Sequence, residues 1–262
     1  MLSAPCGDPV KRVTDKNCRV RANAYSEAWL ENARRRGVPA DAVAEIARRH
    51  AITPESFELL AKAEEIKDPH GKSYFLLPPG ISGDDARRAT LMTYVLNAGT
   101  DYGKAGKRPA DYPKTPYHAA EVARIINRQK ANRWSYSRDV RFVHRNGGRL
   151  VTTPNGILMG VGGNWLQRQF SRRGGTTWGD IFMVNGGNLV HPAERLRRIV
   201  RSGHGADLDR VLHHEERHCR QWAAKGYLGM LGGYGWELVR ELVFGKTNRF
   251  EEDAGLSDGG YR

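Results

Sequence analysis

The sequence contains little cysteine and no long apolar run. Three cysteines, Cys6, Cys18 and Cys219, are too few for a disulfide scaffold in a chain of 262 residues. Cys6 and Cys18 would pair only in an oxidising compartment, and Cys219 would then stay unpaired. No segment approaches the roughly 20 consecutive apolar residues that a membrane-spanning helix requires. We therefore expect a soluble protein, and the cysteines do not define its compartment.

The first residues also lack the features of a signal peptide. Residues 1–6 have neither a basic start nor an apolar stretch. Secretion would therefore need a route that does not depend on a signal peptide. No repeat or low-complexity linker is present, and apolar residues make up 39% of the chain with 9% aromatics. This composition is sufficient to order most of the chain around a core.

Acidic residues are in the minority. The chain has 42 Lys and Arg against 29 Asp and Glu, which gives a net charge of +13 and favours contact with nucleic acid, anionic lipid or an acidic partner. The basic residues occur in short runs with acids between them, a pattern typical of solvated surface. One group lies close to Trp134 and Tyr136 and is the local indication of nucleic-acid binding. Its members are Arg124, Arg128, Lys130 and Arg133.

The front half of the chain predicts a series of helices. Apolar spacing and helix-capping residues indicate helices over residues 22–36, 40–50, 53–65, 84–97 and 116–132. Residues 99–116 are rich in Gly, Lys and Pro and predict a loop. We assign no chemistry to these helices, because their apolar positions are explained by core packing.

The pattern changes near residue 135. The sequence predicts a three-stranded meander over residues 139–144, 149–153 and 157–161, followed by a fourth strand over residues 178–185. It then predicts two helices, over residues 192–201 and 207–225, and Gly226 ends the second helix. A further helix is expected to end at Phe244. The predicted fold is α+β, with a helical region over 1–135 and a domain over 136–262 that has a small, mostly antiparallel sheet. The front could equally pack onto the rear as one domain.

The second of these helices carries the motif His214-Glu215-Glu216-Arg217-His218. Residues four apart share one face of a helix, so His214 and His218 can converge on one metal ion such as zinc. Glu215 falls within the apolar arc of the helix, where a carboxylate can accept a proton from metal-activated water. His213 is predicted to lie on the polar side, at the surface or supporting a ligand.

A catalytic zinc needs a third protein ligand. We choose Glu251 from the acidic cluster near the end of the chain, since Phe250 before it suggests a buried anchor; Glu252 and Asp253 are the alternatives. Tyr261 is the candidate for stabilising a developing oxyanion. Tyr234, Tyr227 and His204 are further candidates, although packing explains each of them better. In the alternative without metal, the histidines, Glu215 and nearby arginines satisfy one another.

Residues 174–262 resemble the HExxH metallopeptidase-like domains of the gluzincin type that occur in bacterial, especially actinobacterial, secreted or toxin-like proteins. The matching residues are His214, Glu215, His218, Gln221-Trp222, Gly226, Asn248, Phe250-Glu251, Ala254-Gly255 and Gly259-Gly260-Tyr261. The resemblance implies a zincin-like fold with an active-site helix. It departs from the family at Gly255, where gluzincins carry acidic or polar support, so Asp253 would have to support a histidine instead.

The resemblance also implies a function. It suggests a zinc metallopeptidase with Zn²⁺ held by His214, His218 and Glu251, with Glu215 as the general base. Residues 178–185 would hold an extended protein or peptide substrate by strand addition. A cognate immunity or delivery protein is the implied partner. The alternatives are an inactive metal-binding interaction module and a basic nucleic-acid-binding protein.

Overall fold

The computed structural model describes residues 11–99, 116–162, 175–185, 191–202, 208–244, 250 and 254. These residues contain eight α-helices and one sheet of six strands. The helices are α1 (Lys11–Arg35), α2 (Ala40–His50), α3 (Glu58–Ala61), α4 (Gly83–Leu96), α5 (Ala119–Ala131), α6 (Val140–Arg145), α7 (Pro192–Ser202) and α8 (Leu208–Phe244). The strands are β1 (Glu64–Lys67), β2 (Ser73–Leu76), β3 (Arg149–Thr152), β4 (Leu158–Val161), β5 (Gly175–Trp178) and β6 (Ile181–Val184).

The sheet is open and mostly antiparallel. Its strand order is β1-β2-β3-β4-β6-β5, and β4 and β6 form the one parallel pair among the described strands. β5 and β6 form a hairpin whose turn places Gly179 at φ 62°. β6 is bonded on both sides, and β1 and β5 are the two edge strands among the described strands. The predicted α+β class and mostly antiparallel sheet are confirmed.

Helices cover both faces of this sheet. Phe75, Leu150 and Leu158 belong to a core that includes buried residues of α1 and α4. Tyr74, Val151 and Met159 face the opposite way and belong to a core with α7 and α8. Successive residues of a strand point to opposite faces, so β2, β4 and β6 are buried along their whole length. Helices α1 and α4 therefore lie on the opposite face of the sheet from α7 and α8.

Strands β1 and β2 come from the region that the sequence predicts to be helical. β1 occupies the end of the helix predicted over residues 53–65, which in the structure is a 3₁₀ turn followed by α3. Pairing with β2 supplies the hydrogen bonds that so short a segment cannot provide alone. β2 in turn pairs with β3. The sheet thus draws strands from both sides of the boundary predicted near residue 135.

The strand predicted over residues 139–144 is wrong. This segment contains the end of a π-helical turn (Ser135–Asp139) and helix α6. The β-branched residues Val140 and Val143 suggested a strand, but their spacing of three places both on the buried side of a helix. The strands predicted over 149–153 and 157–161 are confirmed as β3 and β4.

Helix α8 is long but interrupted. Gly226 has φ 69° and ψ 172°, which breaks the helical path where the sequence predicted a helix end. Near its beginning, Asp209 forms a salt bridge of 2.8 Å with Lys72 of the β1–β2 turn, and both side chains are buried. This ion pair fixes the first turn of α8 against the sheet. No helix in the described parts of the chain is long and apolar enough to cross a lipid bilayer.

Candidate metal centre

The motif lies on the first half of α8, where Glu215 contacts the sheet through Thr177 of β5. Leu212 and Cys219 are fully buried in the core beneath the sheet. His214, Glu215 and His218 lie between them along the helix and are also buried, with exposed fractions of 2%, 9% and 7%. The prediction that Glu215 falls within the apolar arc of the helix agrees with its burial, and the two histidines on its flank are buried as well.

The two motif histidines meet through their Nε2 atoms. These atoms are 3.0 Å apart, and the ring planes are nearly perpendicular at 83°. Two nitrogens bound at ~2.0–2.1 Å to one tetrahedral zinc ion lie roughly 3.3 Å apart. The observed separation is within a few tenths of an ångström of that value, so the pair fits a shared metal ion. It also fits a direct hydrogen bond between two neutral imidazoles.

Gln221 holds the ring of His218. Nδ1 of His218 lies 2.9 Å from Oε1 of Gln221, one helical turn further along α8. The amide Nε2 of Gln221 donates to the carbonyl oxygen of Phe250 at 3.0 Å. Metal-binding histidines in general use the second ring nitrogen in this way, which fixes the orientation of the ring.

Glu215 is tied to the outer strand of the sheet. Its Oε2 accepts a hydrogen bond of 2.5 Å from the hydroxyl of Thr177 in β5. The carbonyl oxygen of Thr177 accepts from the indole N–H of Trp222 at 3.0 Å. Thr177 therefore bonds α8 through both its side chain and its backbone, and it fixes the carboxylate relative to the strand.

Glu216, the next residue, belongs to a buried ion-pair network and not to the metal centre. Arg128 of α5 donates to its Oε1, and Arg124 donates to the same atom at 2.9 Å. Burial by itself would raise the pKa of Glu216, but Arg128, Arg220 and Arg124 lower it to about 2. The carboxylate is therefore ionised at neutral pH and binds α8 to α5.

Asp180 extends this network to the β5–β6 turn. Its carboxylate accepts hydrogen bonds from Asn132 at 2.7 Å and from the hydroxyl of Tyr136 at 3.0 Å, and it pairs with Arg128 at 3.2 Å. Burial raises its pKa against the opposing effect of Arg128. Asn132 also donates to the carbonyl oxygen of Cys219 on α8 at 2.9 Å. Helix α5 thus binds both the turn of the outer hairpin and the motif helix.

Aromatic residues pack beside this hairpin. Trp134, Trp178, Trp222 and Tyr227 form a cluster with ring centroids 5.0–6.3 Å apart. The guanidinium of Arg138 lies 5.5 Å from the ring of Tyr227. Such contacts stabilise the packing of α8 against β5. Tyr227 is accordingly explained by packing, as the sequence favoured.

The position of His213 differs from the prediction that it lies on the polar side of the helix. It is 4% exposed and does not lie at the surface. The side of α8 expected to face water instead meets α5, because Glu216, three residues further on, contacts Arg124 and Arg128. Burial lowers the pKa of His213 to about 4, against the opposing effect of Glu216. The side chain is therefore neutral at physiological pH.

Several predicted site residues lie outside the described part of the chain. They are Glu251, Glu252, Asp253, Tyr261 and His204. Cys6 is also outside it, so pairing with Cys18 is untested. Phe250, the predicted anchor, is buried with 8% of its surface exposed and is bound by Gln221. Among the described residues, no group of three or more His, Cys, Asp and Glu side chains has the geometry of a metal site.

The prediction that residues 178–185 hold an extended substrate by strand addition is wrong. Residues 178–185 include the end of β5, a turn and β6, and β6 is bonded to β4 on one side and to β5 on the other. A strand paired on both sides has no edge for strand addition. The edge strand next to β6 is β5, which the sequence left largely unassigned because it is short and follows a Gly-rich segment.

The residues that suggested nucleic-acid binding are largely used within the fold. Arg128 and Tyr136 are buried, with 4% and 1% of their surfaces exposed, and Arg124 is bonded to Glu121 and Glu216. Arg133 pairs with Asp84 at 3.3 Å. Of this group, Arg124 and Arg128 are therefore bonded within the fold, and Lys130 and Arg133 are exposed.

Sequence reasoning missed Thr177, Asp180 and the structural role of Arg128. One signal was available: Arg124, Arg128 and Asn132 are spaced by four and form a polar stripe on α5 next to buried Val122 and Ile125. Such a stripe on an amphipathic helix can mark an internal polar contact. Thr177 gave no comparable signal, since its role depends on the pairing of β5 with β6.

Comparison of the chain with family models, curated proteins and solved structures gives no match.

Proposed function

We propose that this protein is a zinc-dependent hydrolase of the metallopeptidase class. The observation that carries the proposal is the convergence of the Nε2 atoms of His214 and His218 at 3.0 Å, with the other nitrogen of His218 bonded to Gln221. A helix that buries two histidines and a glutamate needs a compensating interaction, and a metal ion supplies one. His214, His218 and Glu251 are the proposed ligands.

Each of the proposed site residues has a separate role in the reaction. Zinc bound by these ligands would lower the pKa of its water to about 7 and polarise a substrate carbonyl. Glu215 accepts the proton of the attacking water and passes it to the leaving amine. Thr177 holds Oε2 of Glu215 by its hydroxyl, and we assign proton transfer to Oε1. Tyr261 is proposed to stabilise the oxyanion.

The substrate is proposed to be a protein or peptide. This choice comes from the resemblance to bacterial metallopeptidase-like domains, which also suggests a toxin or effector with a cognate immunity or delivery protein. The outer strand β5 replaces residues 178–185 as the proposed place where an extended chain adds to the sheet. Its Thr177 contacts Glu215 directly, which places β5 next to the proposed base.

The first experiment measures the metal content of the purified chain by elemental analysis. We expect about one zinc per chain after reconstitution, and loss of it in His214→Ala, His218→Ala and Glu251→Ala. Glu215→Gln should keep the zinc but lose hydrolysis of a denatured protein substrate, because only the proton acceptor is removed. His50→Ala is a matched control, since His50 lies on α2 and bonds the backbone of Ala119.

Each outcome separates the proposed function from its alternatives. Zinc retained in Glu251→Ala but lost in Glu252→Ala or Asp253→Ala would reassign the third ligand. Zinc bound by four protein groups, without turnover, would indicate the inactive interaction module. A reconstituted wild-type chain without metal would refute the proposal and leave His214 and His218 as a hydrogen-bonded structural pair.

A further inference from the structure

Two consecutive hydrogen bonds connect the backbone of Phe250 to the ring of His218. Gln221 lies between them, with its Nε2 3.0 Å from the carbonyl oxygen of Phe250 and its Oε1 2.9 Å from Nδ1 of His218. Gln221 and Phe250 are both 8% exposed and His218 is 7% exposed. Because an unpaired polar group is costly in a buried site, each of these contacts must join a donor to an acceptor.

The direction of both bonds follows from the carbonyl group. A carbonyl oxygen only accepts, so the amide NH₂ of Gln221 must face Phe250. The amide oxygen then faces His218, and it too only accepts. Nδ1 of His218 must therefore carry a hydrogen. A neutral imidazole has one N–H, so Nε2 of His218 presents its lone pair toward His214.

The contact between the two histidines then has one possible direction. Nε2 of His218 is the acceptor at 3.0 Å, so Nε2 of His214 must be the donor. In the metal-free chain the two rings are consequently in opposite tautomers. Nε2 of His218 is then oriented to bind a metal, whereas Nε2 of His214 carries a hydrogen in the metal-free chain.

We propose that Gln221 is a positioning residue that sets the tautomer of His218. Its amide NH₂ binds the carbonyl oxygen of Phe250, so its amide oxygen faces His218. This places the hydrogen of His218 on Nδ1 and leaves the lone pair of Nε2 facing His214. The same amide joins the motif helix to the backbone of Phe250. The effect on metal affinity rests on the proposed function; the tautomer assignment does not.

The tautomers can be read directly from ¹⁵N chemical shifts and long-range ¹H–¹⁵N couplings of the full chain after dialysis against chelator. We expect His218 to be protonated on Nδ1 and His214 on Nε2. In Gln221→Met, His218 should populate both tautomers. Protonation of His218 on Nε2 in the wild type, or an unchanged Nδ1–H signal in Gln221→Met, would overturn the proposal.

Two further variants separate this effect from a loss of packing. Gln129→Met is the matched control, because Gln129 is a buried glutamine that donates to the backbone oxygen of Gly156, away from the histidines. It should leave both tautomers unchanged. Gln221→Glu keeps an acceptor for Nδ1 of His218 but loses the donor to Phe250. It should retain the Nδ1–H tautomer and serves if Gln221→Met does not fold.

Zinc affinity, measured by competition with a chromogenic chelator, tests the consequence for metal binding. Loss of a partner that orients a ligand usually weakens metal binding by about 10- to 100-fold. We expect that loss in Gln221→Met and wild-type affinity in Gln129→Met. Equal affinity in all three proteins would refute the role of Gln221 in metal binding. A wild-type chain that binds no zinc would refute the proposed function, while the NMR result would still decide the tautomer.

Discussion

At the scale of single residues, the site depends on side chains that bond a functional group from a neighbouring element. Thr177 donates to Glu215, Gln221 bonds His218, and Arg128 bonds Glu216. Each of these contacts is buried, where a hydrogen bond is electrostatically stronger than in water and an unpaired polar group is costly. The orientation of the motif is therefore set largely by residues outside it.

Thr177→Val tests the bond to Glu215. Valine matches threonine in shape, so the substitution removes the hydroxyl donor and leaves a buried carboxylate with one bond fewer. Hydrogen bonds to charged groups contribute about 1.5–3 kcal/mol, and we expect a loss of that size in the free energy of unfolding. Urea denaturation followed by circular dichroism measures it.

Thr176→Val is the control for this experiment. Thr176 is the preceding residue of β5 and faces the opposite side of the sheet, where it is partly exposed. A change within roughly 0.5 kcal/mol is expected there. Equal losses in the two variants would show that the hydroxyl of Thr177 does not stabilise Glu215.

At the scale of elements, α8 is held from several directions. Lys72 binds its first turn, β5 and α5 bind its middle, and the aromatic cluster packs at Trp222 and Tyr227. Between Trp222 and Tyr227 of this cluster, the helical path is interrupted at Gly226.

Gly226→Ala tests whether this break needs glycine. The φ of 69° with ψ of 172° is a conformation that essentially only glycine adopts, and a side chain placed there meets nothing within 4 Å. The cost is therefore backbone strain alone, about 1–3 kcal/mol. Thermal unfolding should show a lower midpoint for Gly226→Ala.

Gly232→Ala is the matched comparison within the same helix. Gly232 has helical geometry and open space around its Cα. Alanine in an exposed helix interior is more favourable than glycine by about 1 kcal/mol, so this variant should be at least as stable as the wild type. A stabilised Gly226→Ala variant would mean that the helix continues through this position.

At the scale of the whole molecule, charge is used internally as well as at the surface. The chain carries +13, yet Arg128 lies in the interior between Glu216 and Asp180. His213 is also buried, but unlike Arg128 it is uncharged, because burial lowers its pKa. The response of the fold to acid should report these buried groups.

The stability of the metal-free chain should fall as the pH is lowered from about 6.5 to about 4. The pKa of His213 is lowered to about 4 in the fold, whereas an unfolded histidine titrates near 6.5. In this window the unfolded chain binds the additional proton, so acid favours unfolding by up to about 3 kcal/mol. His213→Gln should flatten this part of the pH profile, measured by urea denaturation in the presence of chelator. An unchanged slope would contradict the buried, neutral state of His213.

The parts of the fold that the sequence predicted are those with strong local signals. The helix over residues 40–50 matches α2, β3 and β4 flank a clear turn at Pro154-Asn155-Gly156, and Gly226 breaks α8 as expected. The motif spacing also predicted that His214 and His218 share one face of a helix. These features depend on residues a few positions apart, so local backbone preferences determine them.

Contacts between distant segments decided the rest. β1 and α6 were misread because their state depends on the pairing with β2 and on burial against the core, which no local pattern encodes. The orientation of Glu215 depends on Thr177, 38 positions earlier in the chain, and the burial of His213 depends on α5. The sequence by itself determined which residues can share a helix face and bind a metal, because helical geometry fixes neighbours at three and four residues. Only the tertiary structure decided which partners hold them, because packing brings together groups whose separation in sequence carries no signal.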